Sequence, residues 1–231
     1  MLMNLEDQIY HRKSCRNYSD DEIDMNIIHE FMKSVKSLND DVAYHYEILT
    51  LDEVNNRARF SAPYYLALYA DKKENHVDIG FIFQQLCLYL QSLGIGNCWV
   101  GLASPKKKNP DFVITISFGK SDDMTRDISR FKRKKLEDIS DFADERLIPA
   151  QLAPSAINVQ PWYFKHSDDG FDVYQVKQNI VKRQLIKKWN PIDVGIALAH
   201  MYVANEDAFE FYKKTDFENI NGHTYIGSIK I

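Results

Sequence analysis

The chain has 231 residues, of which 45% are hydrophobic and 27% charged, with a formal net charge of -4. A chain this long can bury about 70% of the surface it exposes when unfolded, and its slight acidity excludes an electrostatic nucleic-acid binder. Cys15, Cys87 and Cys98 form no C-x-x-C pair, which excludes a disulfide framework or thiolate zinc site and fits a reducing, cytoplasmic setting.

The opening MLMNLEDQIYHRK lacks the apolar centre of a signal peptide. From Ser19 to Leu38 a capping-box spacing, Ser19 to Glu22, precedes Ile23, Ile27, Phe31 and Val35 at four-residue intervals, which predicts an amphipathic helix. Val42–Leu51 and Ala62–Ala70, rich in Tyr, Leu, Ile and Val and bounded by Asp and Pro, read as strands. Val77–Leu93 is an apolar helix stopped by Gly94 and Gly96; Asp78, Gln84, Gln85 and Gln91 interrupt it, so it reads as buried and not as a membrane span. LGIGNCWVGLA (Leu93–Ala103) reads as a glycine-punctuated turn, and the nearly continuous apolar run Asp111–Gly119 as a central strand. Beyond the basic run RFKRKK (Arg130–Lys135), Ile139–Leu147 is expected to be helical, Trp162–Phe164 to lead through a polar hairpin to a strand at Phe171–Val176, and Pro191–Tyr212 to form a helix with Pro at its start. A strand at Thr224–Ile231 closes the chain.

The order of elements repeats. Val77-Asp78-Ile79-Gly80 is echoed 115 residues later by Ile192-Asp193-Val194-Gly195, and strands FVITISF and YIGSIKI are displaced by about as much. This pattern predicts an internally duplicated α+β unit with a boundary near residues 130–138. A glycine inside each long helix costs about 1 kcal/mol against Ala; close packing of the two helices would compensate, with the halves face to face.

Three stretches carry candidate chemistry. In HRKSCRNY, Arg12, Ser14 and Arg16 alternate, so an extended backbone turns two guanidiniums and a hydroxyl to one side, as a phosphate requires; a solvated basic segment is the other reading. In LAPSAINVQPWYF, Pro154 and Ser155 bend the chain while Asn158 and Gln160 carry donors and acceptors for a heterocycle edge, with Pro161, Trp162 and Phe164 as anchors. The alternative there is a helix-ending turn whose side chains satisfy backbone groups. The glycines after the buried helix follow a helix and do not spell G-x-G-x-x-G, so they predict close approach to a flat ring and not a Rossmann site. His200 reads as a satisfied core histidine; no Ser-His-Asp, H-E-x-x-H or Walker pattern is present.

Together RKSCRNY, APSAINVQPWYF, VDIG with LGIGNCWVG, and FVITISFGK with RFKRKK resemble the motifs of the FMN-dependent nitroreductases. The order departs from that family's: the Arg-x-Ser-x-Arg and Pro-Ser-x-x-Asn motifs lie 142 residues apart, where family members separate them by a few tens. The resemblance is therefore to internally duplicated members that mimic the family homodimer in one chain. It implies an α+β nitroreductase-like fold in two pseudo-symmetric halves, residues 1–135 and 136–231, with one FMN between them and the second, symmetric site empty. It implies an NAD(P)H oxidoreductase with ping-pong transfer through the flavin to a nitroaromatic, quinone or similar acceptor, acting as a monomeric pseudo-dimer or a homodimer, with no nucleic-acid or membrane partner. The alternative is a flavin-binding or ligand-sensing protein on the same fold with little turnover. By position, Arg12, Lys13, Ser14 and Arg133 would serve the phosphate and ribityl end and Arg16 the N1/O2 ring edge. Pro154, Ser155, Ala156 and Asn158 would line the ring, with Val100 and Gly101 offering N–H groups toward N5. Val100 replaces a common family Glu, and Asn55 and Arg57 match the usual flavin contacts only loosely.

Overall fold

Two long apolar helices cross at the centre of the molecule, and an antiparallel sheet belongs to each end of the chain. The computed structural model describes residues 5–178 and 187–231. Helices α1 (Leu5–His11) and α2 (Asn26–Met32) lead into β1 (Tyr44–Thr50), β2 (Val54–Asn56) and β3 (Tyr64–Ala70), and then into α3 (His76–Ser92). Strands β4 (Ile95–Val100), β5 (Ala103–Pro105) and β6 (Phe112–Lys120) follow, with β1-β3-β6-β4 forming one sheet and β2-β5 a small ribbon. After α4 (Ile148–Leu152) come β7 (Trp162–Ser167), β8 (Gly170–Val176), α5 (Asn190–Ala204), β9 (Glu210–Tyr212) and β10 (His223–Lys230), whose sheet order is β7-β8-β10-β9.

As expected from its unbroken apolar run, β6 is paired on both sides, to β3 and β4. Helices α3 and α5 are buried round nearly their whole circumference, which is why neither shows a clean polar face. Their glycines meet reciprocally: a methyl on Gly80 would overlap the Ile192 carbonyl oxygen, and one on Gly195 the Val77 carbonyl oxygen. Close backbone packing thus accounts for two residues that weaken an isolated helix. Among the described residues no helix is long and apolar enough to cross a membrane.

Four local expectations are corrected. The helix read over Ser19–Leu38 is confined to α2: Ser19 Oγ donates to Asp21 Oδ2 instead of capping. Side chains of α3 capture the chain beyond α2, with Asp78 Oδ1 accepting from Leu38 N and Asn39 N at 3.1 Å and Gln85 bonding Lys36. Ile139–Leu147 is not an α-helix, because Ile139 accepts from Phe164 N at 2.8 Å and Ser140 bridges Phe164, laying the segment along β7. The helix read as Pro191–Tyr212 ends at Ala204, where Asn205 Nδ2 donates to Met201 O, and Glu210–Tyr212 instead pairs with β10. The glycine-rich stretch after α3 is mostly strand: Gly94, at φ +75°, ends the helix, and Ile95–Val100 then pairs with Lys120–Thr115.

Candidate functional site

The N-terminal stretch is threaded by backbone bonds that decide where its side chains go. Arg12 bridges Thr125, Lys13 N donates to Met124 O and Cys15 N to Asn97 O, both at 2.9 Å. Arg12 is thereby only 3% exposed, and its Nη2 donates to Ser14 Oγ at 3.3 Å. Arg16 lies over the Phe60 ring at 5.8 Å. Lys13 turns aside to pair with Asp123.

Two more guanidiniums approach from the segment after β6. Arg126 and Arg133 stand over the ring of Phe131 at 5.2 and 5.4 Å. Arg133 donates through Nη1 to Asn158 Oδ1 at 2.7 Å and through Nη2 to Leu152 O at 3.0 Å, while the Nε atoms of both arginines are buried without a partner among the described residues. Burial first, then the neighbouring guanidiniums, pulls Arg133 down to about 10; burial likewise pulls Arg12 to about 10, with Arg126 and Arg16 acting in the same direction. Among the described residues none of Arg12, Arg16, Arg126 and Arg133 forms an ion pair. Asp123, which acts on Arg126, is already engaged by Lys13. Desolvated cations without counter-charge are costly, and the cluster is complementary to a multiply charged anion such as a phosphate.

The turn after α4 is held in an unfavourable shape. Ile157, Asn158 and Gln160 have φ of 45°, 58° and 48°, the left-handed region that residues with side chains rarely enter. One restraint is local and two come from distant segments: Ser155 Oγ accepts from Gln160 N at 2.9 Å, Asp193 Oδ1 from Ala156 N at 3.0 Å, and Gln160 Oε1 from Lys134 N at 2.9 Å. Trp162 and Phe164, fully buried, anchor the exit. The result is that Ile157 stands 70% exposed.

Between these pieces lies a cavity of about 670 Å³. Ser14 and Arg16, the loop Ala58–Phe60, and Cys98–Leu102 line it from the N-terminal part of the chain; Pro154–Ile157, Trp189, Ile192, Asp193 and Ile196 line it from the C-terminal part. Gly101 packs on the Trp189 indole so closely that a methyl would overlap it. The cationic cluster adjoins the cavity through Ser14, which lines it and is bonded to Arg12. Of the residues singled out from sequence, Ser14, Arg16, Val100, Gly101, Pro154, Ser155 and Ala156 line the cavity. Arg12 and Arg133 stand in the cluster, whereas Lys13 and Asn158 are spent on Asp123 and on Arg133 with Lys132 O. Asn158 and Gln160 thus bond the basic segment, as the helix-ending alternative anticipated. His200 is the core histidine it was read as: Nδ1 meets Pro149 O and Nε2 meets Gln84, both at 3.0 Å, and burial lowers it to about 3. No metal-ligand cluster occurs among the described residues.

Arg126, Phe60, Trp189 and Asp193 were missed as site residues. Arg126 sits alone in DDMTRDIS with no spacing to flag it, whereas Asp193 was visible in the 115-residue echo but read only as a repeat marker.

A family model described as "Putative TM nitroreductase" matches residues 4–205. The crystal structure described as "a putative nitroreductase" from Thermotoga maritima is 22% identical and superposes with a TM-score of 0.66 over 94% of this chain and 92% of that one; at that identity the likeness shows the fold. An FMN-dependent nitroreductase from Clostridium difficile is 18% identical over 57% of this chain and 95% of that chain, at a TM-score of 0.43. A nitroreductase with bound FMN from Desulfitobacterium hafniense is 16% identical over 52% and 91%, at 0.39. No curated protein matches.

Proposed function

The chain belongs to the nitroreductase family whose model spans residues 4–205, and from that premise we propose that it is an FMN-dependent NAD(P)H oxidoreductase with one flavin site per chain. The observation that carries the reading is the junction of an unpaired cationic cluster with a mainly apolar cavity, which fits a molecule with a phosphate at one end and a flat ring at the other. FMN, when bound, would supply two-electron chemistry between NADH or NADPH and a nitroaromatic, quinone or similar acceptor, and the cavity walls would admit the two substrates in turn.

The chain's own residues have separate tasks in this reading. Arg12, Arg126 and Arg133 hold the phosphate, Ser14 joins that end to the cavity, and Lys13 removes Asp123 as a competing anion. Asn158 fixes the Arg133 fork. Pro154, Ser155 and Ala156 wall the ring on one side, and the backbone at Val100 and Gly101 supplies donors on the other. No acid or base is required for hydride transfer itself.

The pseudo-dimeric form belongs to the same proposal, with residues 1–135 and 136–231 as its halves. Its support is the successive sheets, the reciprocal Gly80 and Gly195 contacts, and the matching positions of Asp78, which accepts from the backbone N–H groups of Leu38 and Asn39, and Asp193, which accepts from that of Ala156. The cavity walls come from both halves, so a single chain suffices for one site.

The test is an absorbance spectrum of the protein mixed with FMN and freed of excess. A yellow protein that bleaches with NADH or NADPH and recovers with an acceptor is expected. A flavin that stays bound but is not reduced would favour the ligand-sensing alternative, and no retained flavin would refute the cofactor assignment. Arg16→Ala sharpens it. A cation near the ring favours negative charge there; at an effective dielectric near 20 its removal is worth about 1–3 kcal/mol. The potential of bound flavin should fall by roughly 20–65 mV. A shift under about 10 mV in FMN-saturated protein would remove Arg16 from the ring edge.

A further inference from the structure

Asp78 and Asp193 stand at matching places on α3 and α5, yet their bonding differs. Asp78 Oδ1 accepts from Leu38 N and Asn39 N, and its Oδ2 from Asn39 Nδ2 at 2.8 Å, so both oxygens are occupied. Asp193 receives one bond, Ala156 N to Oδ1, and its Oδ2 is buried without a partner among the described residues. Asp193 is 4% exposed, and it lines the cavity beside Ile192, Ile196 and Pro154. We propose that Asp193 is a ligand-recognition residue of this cavity: its free oxygen carries a hydrogen and donates it to an acceptor on the edge of a planar heterocycle.

Solvation sets the form of this side chain. A carboxylate needs several donors, and one left with a single donor in an apolar wall is far costlier than the neutral acid. Burial accordingly raises Asp193 well above the usual carboxylate range, with only the Ala156 N–H opposing. Among the described residues no charged group on α1, α3, α4, β7 or β8, the elements packed on α5, acts on it; the ionisable neighbours on the cavity wall are Arg16, Arg59 and Cys98. A neutral carboxyl whose Oδ1 is taken offers the cavity a donor, which matches the carbonyl or imine acceptors of a ring.

The inference rests on the flavin reading above, and FMN is the probe. In D193N the amide oxygen keeps the Ala156 bond while the amide nitrogen donates, reproducing the neutral acid; in D193A the donor is lost. In fluorescence titrations at neutral pH, D193N should bind FMN within about threefold of wild type and D193A at least about fivefold more weakly, the scale of one hydrogen bond. Equal loss in both variants would show that the ligand needs an acceptor, and undiminished binding by D193A would show no contact; either overturns the assignment. Failure of all three proteins to bind FMN would instead defeat the cofactor reading, and the assignment with it. Melting of the ligand-free proteins adds a second readout. With its folded pKa raised, Asp193 favours the folded state fully at acid pH, and that stability is lost as pH rises through the folded value. Wild type should therefore lose ground to D193N with rising pH, and a wild type that gains on D193N overturns the proposal.

Discussion

Gly195→Ala is expected to lower the melting temperature by about 2–8 °C, although alanine is the better helix former. The propensity gain is about 1 kcal/mol. Against it stands a methyl driven into the Val77 carbonyl oxygen, with Phe81 N and Val77 C also too close, and these are helix backbone atoms that cannot rotate away. Overpacking of this kind costs about 1–3 kcal/mol and sometimes more, and here it forces apart two helices buried along most of their length. For a chain of this size each kcal/mol moves the midpoint by about 2–4 °C. Gly80→Ala should behave alike, since it meets the Ile192 carbonyl oxygen. Gly222→Ala, at φ +77° with nothing near it, should cost only about 1 kcal/mol of backbone strain. Calorimetric melting of the three variants checks this; a Gly195→Ala protein that melts with the wild type would mean that α3 and α5 do not touch as described.

Arg12→Met is expected to separate binding from stability. Arg12 is buried, repelled by Arg126 and Arg16, and bonded by its guanidinium to Ser14. Its charge is therefore a burden on the ligand-free fold and an asset only when an anion arrives. Met keeps an unbranched stem in the same space. FMN affinity should fall by roughly 10–150-fold, the equivalent of about 1.5–3 kcal/mol for a bond to a charged group, while the ligand-free protein should melt no lower than wild type. Paired titration and melting experiments decide it: a variant that loses stability and keeps its affinity would make Arg12 a structural residue with no anion to hold.

Much of this was legible in the sequence, and the failures share a cause. Long apolar runs such as β6 and α3 declare themselves because burial on every side leaves no competing signal. The 115-residue echo also led directly to the glycine contact. Where local pattern and tertiary capture disagree, capture wins: Asp78 and Gln85 take the backbone after α2, and pairing with β7 takes Ile139 and Ser140. Within the site, short-range spacing found Arg12, Ser14 and Arg16, since three alternating residues need no distant partner to be noticed. Arg126 and Trp189 join the site only through the fold, Arg126 by stacking on Phe131 and Trp189 by filling the space Gly101 leaves. Asn158 shows the converse, a motif residue whose side chain supports Arg133 and does not line the cavity.

The central claim is that one chain builds one flavin site from both of its ends. Calorimetric titration with FMN, combined with sedimentation to fix the number of chains per particle, measures it most directly. One FMN per chain is expected, with the same ratio whether the particle holds one chain or two, because Ser14 and Arg16 and the Pro154–Ile157 turn line one cavity within a single chain. Two FMN per chain would contradict the asymmetry between the halves, and one FMN for every two chains, or none, would contradict the site itself.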